Sequence, residues 1–321
     1  MTSKPVPYQG IWPALLTPLT PALDIDIPSF TRHSLKLIEA GCAGVTPFGT
    51  TGEGPSFSVA ERIAAVDGLI AGGVPAGRIL VSTSATALPD AIALTRHAVQ
   101  AGCFGVLLLP PFFLKSVPDQ GVIDAYTQVI DQVNDARLRV VLYHIPQISG
   151  VALSHAVIAT LKARYPKTII GIKDSSGQRE GSLALAKAFM TPEPQATGSE
   201  MQANGTGIQV WVGNEPDLQV MAAQGSIGAV SGVANVMPRL LQRLVAQFDA
   251  ADAPRDMARV KAFIDILGGY GMTAAFKGIM AILNQDDGWR RVRAPLVALS
   301  DAEFARLKIQ LQDFALDGTR D

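Results

Sequence analysis

The chain has 321 residues, 48% hydrophobic and 17% charged, with 30 glycines and 21 prolines, a composition that excludes a disordered or fibrous protein and favours a turn-rich globular enzyme. Its 27 basic and 28 acidic side chains give a net charge of -1 without a basic stripe, which argues against a nucleic-acid partner. The amino terminus lacks a signal-peptide pattern and no long apolar window occurs, so we expect no membrane association and a cytoplasmic location.

Short apolar runs alternate along the chain with amphipathic segments of helical length. The eight predicted strands are residues 11–16, 44–47, 79–83, 105–109, 140–144, 169–173, 209–212 and 228–230. The helices predicted between them are residues 29–40, 58–71, 90–101, 119–134, 154–164, 181–190 and 217–223. Eight strand and helix units in series predict an α/β fold of the (β/α)8 TIM barrel type.

A doubly wound open sheet is the competing architecture, but it usually has a Gly-rich turn after its first strand, and this chain has none there. Helical patterns continue after the last predicted strand, at residues 238–248, 255–267, 273–283 and 301–314. We therefore predict a barrel over residues 1–236 and a C-terminal helical extension packed on it over 237–321. Residues 191–207 have no periodicity and are predicted as a long loop, whose part in the site stays open.

A lysine ends the sixth predicted strand. The run of residues 169–173 is apolar up to Lys173, and the turn-forming Ser175-Ser176-Gly177 follows closely. Such a run predicts a strand buried on both faces, with Lys173 facing the mouth of the barrel. Loss of hydration there favours a neutral amine, which can attack a carbonyl carbon and form a Schiff base. The alternative is a lysine at a strand edge whose amine extends into solvent.

Two other strand ends carry side chains suited to a barrel active site. After the second predicted strand, Gly49-Thr50-Thr51-Gly52-Glu53 is predicted as a tight turn whose amides and hydroxyls can bind a carboxylate. The alternative is a turn with no binding role. After the fifth, Tyr143 brings a phenol that can exchange a proton with a reacting group; a structural core tyrosine is the alternative. Strand alternation turns the next residue, His144, away from Tyr143.

The cysteines and the remaining histidines are not expected to take part in the site. Cys42 and Cys103 each follow a glycine in an apolar stretch and have no partner at metal-ligand spacing, so we expect small core residues and no metal site. The other histidines, which fall on predicted helices or caps and are expected to be structural, are His33, His97 and His155.

Three motifs occur in barrel-compatible order: Gly-Thr-Thr-Gly-Glu at 49–53, Tyr-x-x-Pro at 143–146 and Gly-Ile-Lys-Asp at 171–174. On these motifs the chain resembles the dihydrodipicolinate synthase and N-acetylneuraminate lyase family. Members of that family are Schiff-base (class I) aldolases and related lyases that act on pyruvate or other 2-oxo acids. The likeness also covers residues 10–18 and 228–235, and so runs over most of the chain.

The resemblance implies roles for the residues at these strand ends. Lys173 would form the imine, Thr50 and Thr51 would hold the carboxylate of the 2-oxo acid, and Tyr143 would shuttle protons. Further pocket residues implied by the resemblance are Gly49, Gly213 and the backbone of Val230. No metal or organic cofactor would be needed, because the iminium itself is the electron sink. A homo-oligomer, tetramer or dimer, is also implied.

Two positions depart from the pattern of dihydrodipicolinate synthases. Those enzymes have an arginine two residues after the proline, which binds the carboxylate of the aldehyde, and here that residue is Ile148. They also have a tyrosine of the proton relay where this chain has Phe113, which cannot pass a proton. We therefore expect Ile148 and Phe113 to contact an aldehyde whose tail is neutral or apolar.

The leading hypothesis is a lyase that makes or cleaves a carbon-carbon bond between a pyruvate-like 2-oxo acid and an aldehyde. A dehydratase of a 2-oxo-3-deoxy sugar acid would use the same imine and expel a hydroxyl group. A third possibility is a binding homologue that kept the barrel without turnover. Release of pyruvate, release of water or neither distinguishes the three.

Overall fold

One parallel sheet organises the protein. The computed structural model describes residues 9–190, 207–312, 314 and 316. The strands among these residues are Gly10–Pro13 (β1), Leu80–Ser82 (β2), Gly105–Leu108 (β3), Val140–His144 (β4), Ile169–Asp174 (β5), Gln209–Val212 (β6) and Gly228–Ser231 (β7). Neighbouring strands are parallel, in the order β1-β7-β6-β5-β4-β3-β2. Nearly all strand residues are buried, as in a sheet covered on both faces.

A bridging segment joins the two edge strands of the sheet. The run predicted as the second strand, residues 44–47, forms only isolated parallel bridges, Ala14 with Thr46 and Val45 with Ile79. The carbonyl oxygen of Pro47 still accepts from the amide of Ser82 at 3.0 Å, but Pro47 has no amide to donate in return. The second strand is therefore present as bridges alone, and through them β1 and β2 are connected as in a barrel.

Helices follow the strands in alternation. The helices before β7 are Ile27–Glu39 (α1), Val59–Ala71 (α2), Leu88–Gln100 (α3), Asp119–Val133 (α4), Pro146–Ser149 (α5), His155–Arg164 (α6), Arg179–Phe189 (α7) and Leu218–Ala223 (α8). Those after β7 are Pro238–Ala246 (α9), Ala253–Leu267 (α10), Met272–Asn284 (α11) and Asp301–Gln310 (α12). Every helix predicted from the sequence is present, with ends shifted by a few residues.

Local sequence fixes where several helices begin. At α2, Ser58 Oγ accepts from the amide of Glu61, and the Glu61 carboxylate accepts from the amide of Ser58 at 2.9 Å. Ser300 and Glu303 form the same capping box at α12. Ser154 caps α6 through its hydroxyl. These caps satisfy amides that have no partner inside the helix, so the predicted starts near 58 and 154 are confirmed.

Two tryptophans fill the interior face of the sheet. Trp12 on β1 and Trp211 on β6 are fully buried and belong to one apolar cluster that is separate from the larger, helix-facing core. A Cβ atom at Gly44 would overlap the ring of Trp12, and one at Gly171 would overlap the ring of Trp211. The absence of side chains at these glycines makes room for the indoles. On β5, Gly171, against which the Trp211 ring packs, lies two residues before Lys173.

The helices after β7 form a connected group. Helix α9 contacts β1 and α10, and α11 contacts α10, α12 and the 3-10 helix Asp287–Arg290. Helices occur at the predicted places in this part, while a C-terminal extension that is packed on the barrel and begins at residue 237 stays a prediction. The loop predicted at 191–207 lies outside the described residues, apart from Gly207.

Among residues 9–190 and 207–312, no single helix is long and apolar enough to cross a bilayer. Helices α10 and α11 pass the length and composition test only as a pair that is bent by 110° at their junction.

Candidate active site

Lys173 is buried at the carboxyl end of β5. Its Cα pairs with Tyr143 on β4 and with Trp211 on β6. Paired residues of parallel strands point to the same face, so these three side chains share one side of the sheet. Only 5% of Lys173 is exposed, and its Nζ lies 4.3 Å from the centroid of the Tyr143 ring. This burial does not fit the alternative of an amine that extends into solvent.

Tyr143 connects Lys173 to the turn that follows the bridging segment. The tyrosine is 2% exposed, and its Oη lies 3.2 Å from Oγ1 of Thr50, with either hydroxyl able to donate. Three residues predicted to belong to the site therefore form one chain of contacts, from the amine of Lys173 over the Tyr143 ring to the hydroxyl of Thr50. The phenol and the alcohol, which share a hydrogen bond, can exchange protons with a bound group.

The turn at residues 49–53 has a defined backbone. Glu53 adopts the left-handed region with φ 58°, and its amide donates to the carbonyl oxygen of Thr50 at 3.2 Å. Thr51 is buried and Thr50 is half-buried. A Cβ atom built at Gly49 would meet no heavy atom within 4 Å, so open space lies beside this glycine. The turn thus borders free volume at Gly49, the residue before Thr50.

Gly213 and Val230 lie beside the same residues. A Cβ atom at Gly213 would overlap Ser175 Oγ and would lie 2.9 Å from Cε of Lys173. Gly213 therefore gives the lysine side chain its room. Val230 is 1% exposed and belongs to the buried cluster that contains Tyr143. Both residues come from strands β6 and β7 or directly after them, at the same end of the sheet.

The residues expected at the second-substrate end lie on the surface of the chain. Phe113 is 75% exposed and Ile148 is 54% exposed. Their two segments are tied together by Lys115, whose Nζ donates to the carbonyl oxygens of Ser149, at 2.6 Å, and of Phe112. Phe113 and Ile148 are thus far less enclosed than Lys173 in the single chain.

One polar residue of the site was not singled out in the sequence. Ser175 is 7% exposed, and its Oγ is buried without a hydrogen-bond partner in the described part of the chain. It lies against the position of Gly213, as does Cε of Lys173. Its place two residues after Lys173, on the same side by strand alternation, was the available signal. A buried hydroxyl without a partner is costly unless a bound group supplies one.

His144 and Asp174 lie on the other side of their strands. His144 Nδ1 accepts from the amide of Leu153 at 3.1 Å, away from Tyr143, as alternation predicts. Burial lowers the pKa of His144, and the charge of Asp174 opposes that effect. Asp174 itself accepts a 2.5 Å hydrogen bond from the hydroxyl of Ser182 on α7. Through these hydrogen bonds, the ends of β4 and β5 contact the segment before α6 and helix α7.

Of the two cysteines, Cys42 is a fully buried core residue, as predicted, whereas Cys103 is half-buried and packs against the core. Burial raises the pKa of Cys103 to about 12, which keeps that thiol protonated at neutral pH. Over residues 9–190 and 207–312, no group of three or more His, Cys, Asp or Glu side chains is placed to hold a metal ion.

Comparison with known proteins identifies the family. A model of the dihydrodipicolinate synthetase family matches residues 7–313. The chain belongs to this family. It is 32% identical over 302 residues to an uncharacterized DapA-like lyase of Chloroflexus aurantiacus, covering 94% of this chain and 95% of that protein. The family predicted from the three motifs is thereby confirmed.

Solved structures agree with this assignment. The dihydrodipicolinate synthase from Agrobacterium tumefaciens str. C58 superposes with a TM-score of 0.83 at 29% identity, over 95% of this chain and 99% of that one. The sialic acid aldolase of Ruminococcus gnavus superposes with a TM-score of 0.82 at 22% identity, over 95% and 96% of the two chains. The second likeness concerns the fold alone. Among the relatives of the chain in this family, the Chloroflexus protein is named a lyase.

Proposed function

We propose that the protein is a Schiff-base lyase that joins or separates a pyruvate-like 2-oxo acid and an aldehyde. The observation that supports this most strongly is the chain of contacts from Lys173 through Tyr143 to Thr50, at the carboxyl ends of parallel strands. In an α/β barrel that end is where active sites form. Membership of a family that includes lyases points to the same chemistry.

The reaction begins with the amine of Lys173. The neutral amine adds to the keto carbon, and loss of water gives an iminium that withdraws electrons from the adjacent carbon. A proton leaves that carbon and the resulting enamine attacks the aldehyde; in the reverse direction, bond cleavage leaves the enamine behind. Tyr143, whose ring centroid lies 4.3 Å from the amine and whose hydroxyl contacts Thr50, is the proposed proton carrier in these steps.

The turn at residues 49–53 is the proposed site of the carboxylate. Successive amides and the hydroxyls of Thr50 and Thr51 supply donors, and open space lies beside Gly49. A carboxylate held there would place its keto carbon toward Lys173, because Thr50 is linked to the lysine through Tyr143. Gly213 and Val230 would border the opposite side of the bound acid.

The second half of the substrate is proposed to carry a hydroxyl group and no essential anion. Ser175 Oγ, buried beside Lys173 and unpaired within the described residues, offers a partner to such a hydroxyl. Ile148 provides no charge for a second carboxylate. Ser175 suits both aldol cleavage and dehydration of a 2-oxo-3-deoxy sugar acid, so the dehydratase stays the second candidate.

The assembly state, the location and the cofactor need of the protein are also proposed. We expect a homo-oligomer in the cytoplasm that needs no metal or organic cofactor for the imine chemistry. Apolar side chains exposed by 54% to 75%, at Phe113, Leu114 and Ile148, are typical of a surface that a partner covers.

An assay of pyruvate release tests the proposed function. Purified protein is incubated with a panel of hydroxylated 2-oxo acids, while pyruvate and the dehydrated product are measured separately. Pyruvate from at least one substrate, abolished in Lys173→Ala, is the expected result. Dehydrated product alone would support the dehydratase, and neither product, together with no trapped adduct, would leave the binding homologue.

A further inference from the structure

A buried ion pair lies directly behind the turn at residues 49–53. Glu53, the last residue of that turn, forms an ion pair with Lys277 of α11, and both side chains are 0% exposed. The second carboxylate oxygen of Glu53 accepts from the amide of Arg293 at 3.1 Å. Lys277 Nζ also donates to the carbonyl oxygen of Arg291 at 2.6 Å. The carboxylate of Glu53 is thereby fixed from two sides by residues of the C-terminal helical part.

The backbone of Glu53 needs such support. A residue with a side chain seldom adopts φ 58°, the value that Glu53 has at the end of the turn that its amide closes on the carbonyl oxygen of Thr50. A strained residue persists only where its surroundings fix it. The contacts of the Glu53 carboxylate fix its backbone in this way. Glu53 is only two residues after Thr51 and three after Thr50.

Helix α11 contacts the same end of the sheet at a second point. A Cβ atom at Gly232, directly after β7, would lie 3.2 Å from Oγ1 of Thr51 and 3.2 Å from the ring of Phe276. Phe276 and Lys277 are consecutive residues of α11. The helix thus lies close to the threonine turn through both an aromatic ring and an ammonium group.

A fully buried ion pair is seldom retained for stability alone. Removing two charges from water opposes their mutual attraction, and well-packed apolar residues often stabilise a core equally well. Burial lowers the pKa of Lys277, and the carboxylate of Glu53 opposes that effect, so the charged amine depends on its partner. What the pair provides in addition is a fixed distance and direction between α11 and the turn.

We infer that Glu53 and Lys277 are positioning residues, which hold the threonine turn of Gly49 to Glu53 in the geometry that binds the carboxylate of the 2-oxo acid. The inference rests on the proposed function, because it assigns the turn to that carboxylate. It makes the C-terminal helical part a component of the substrate site, although that part offers no group to the reacting atoms.

The decisive variant replaces both charges at once. Glu53→Gln together with Lys277→Met keeps the side-chain volumes and leaves no buried charge without a partner, whereas either change alone would. Arg243→Met with Asp256→Asn is the matched control, since it removes a 3.0 Å ion pair between α9 and α10 in the same helical part. Each protein is reduced with borohydride at increasing pyruvate concentrations, and its thermal unfolding is recorded.

In the Glu53 and Lys277 double variant, we expect the half-saturating pyruvate concentration to rise by about tenfold or more, because a small displacement of binding groups has a large effect. The control pair should keep the wild-type value. An unchanged half-saturating concentration in the folded double variant would overturn the inference. If that variant does not fold, Glu53→Asp serves instead, since it keeps the charge and shortens its reach, with the same two outcomes.

Failure of the proposed function has a different signature. If the wild type forms no adduct at any pyruvate concentration, the imine chemistry is wrong, and hydrogen exchange of the amides at 50–53 tests the positioning role. Faster exchange at these amides in the double variant, with no change in the control pair, supports the role. Equal exchange in all three proteins contradicts it.

Discussion

The change Gly213→Ala tests the site with a single methyl group. The new Cβ atom would overlap Ser175 Oγ, lie 3.0 Å from Ser175 Cβ and lie 2.9 Å from Cε of Lys173. Ser175 can rotate its hydroxyl away, but the contact with the lysine side chain remains. The methyl group therefore displaces the amine that the proposed reaction uses.

The size of the effect follows from these contacts. Overpacking of this kind costs about 1–3 kcal/mol of the free energy of unfolding. A displacement of the reacting amine by roughly 1 Å slows a positioned reaction by about a hundredfold. Adding Ser175→Ala removes the overlapping oxygen, so the double variant should regain part of the stability while adduct formation stays slow.

The assay measures the rate at which borohydride traps pyruvate on Lys173, beside urea unfolding of the same samples. Gly77→Ala is the matched control, because a Cβ atom there meets no heavy atom within 4 Å and Gly77 lies in the 3-10 helix Ala76–Arg78, before β2. Wild-type trapping in Gly213→Ala would refute the placement of Gly213 beside the reacting amine. An equal loss of rate in Gly77→Ala would refute the steric explanation.

Two further predictions concern single side chains. Tyr143→Phe removes the phenol oxygen that lies 3.2 Å from Thr50 Oγ1 and should slow turnover by roughly a hundredfold with an unchanged unfolding curve; a wild-type rate would remove Tyr143 from the mechanism. Burial lowers the pKa of His33 from 6.5 to about 4, although its contact with Asn235 opposes this, so between these pH values the unfolded chain binds a proton that the folded chain does not. Proton uptake by the unfolded chain therefore lowers the free energy of unfolding by up to about 3 kcal/mol as the pH falls from 6.5 to 4, and has no effect above pH 6.5. In His33→Gln, urea unfolding followed against pH should show a smaller loss over this range. Equal pH dependence in both proteins would contradict it.

Strand positions could be predicted because buried parallel strands leave a continuous apolar signal. The runs at 140–144 and 209–212 match β4 and β6 residue for residue. The run at 44–47 has the same composition but forms isolated bridges, and its last residue, Pro47, accepts a backbone hydrogen bond from Ser82 but cannot donate one. Apolar content therefore indicated the place of this segment but not its hydrogen bonding.

The site was predictable where it depends on strand order and alternation. The contact of Lys173 with Tyr143 follows from neighbouring parallel strands in register. Ser175 carried the same signal, two residues further on, and was overlooked. The ion pair of Glu53 with Lys277 had no pairwise signal, because it joins distant parts of the chain. A lone lysine in the apolar stretch around Phe276 indicated only that its amine needs a buried partner.

Exposure was the least predictable property of the site. Phe113 and Ile148 were expected to contact the second substrate because of the positions they occupy in the family pattern. In the single chain they are 75% and 54% exposed, since Phe113 lies in a loop after β3 and Ile148 on the short helix α5 after β4, not on the strands themselves. A family sequence pattern identifies which residues occupy equivalent positions, but it does not determine how exposed their side chains are.

The central claim is that the amine of Lys173 condenses with a 2-oxo acid. Mass spectrometry of the protein after incubation with pyruvate and borohydride tests it most directly, with peptide mapping to locate the modified lysine. The account predicts one adduct per chain, on Lys173, and none on Lys173→Ala. An unmodified wild-type protein, or an adduct confined to another lysine, would contradict it.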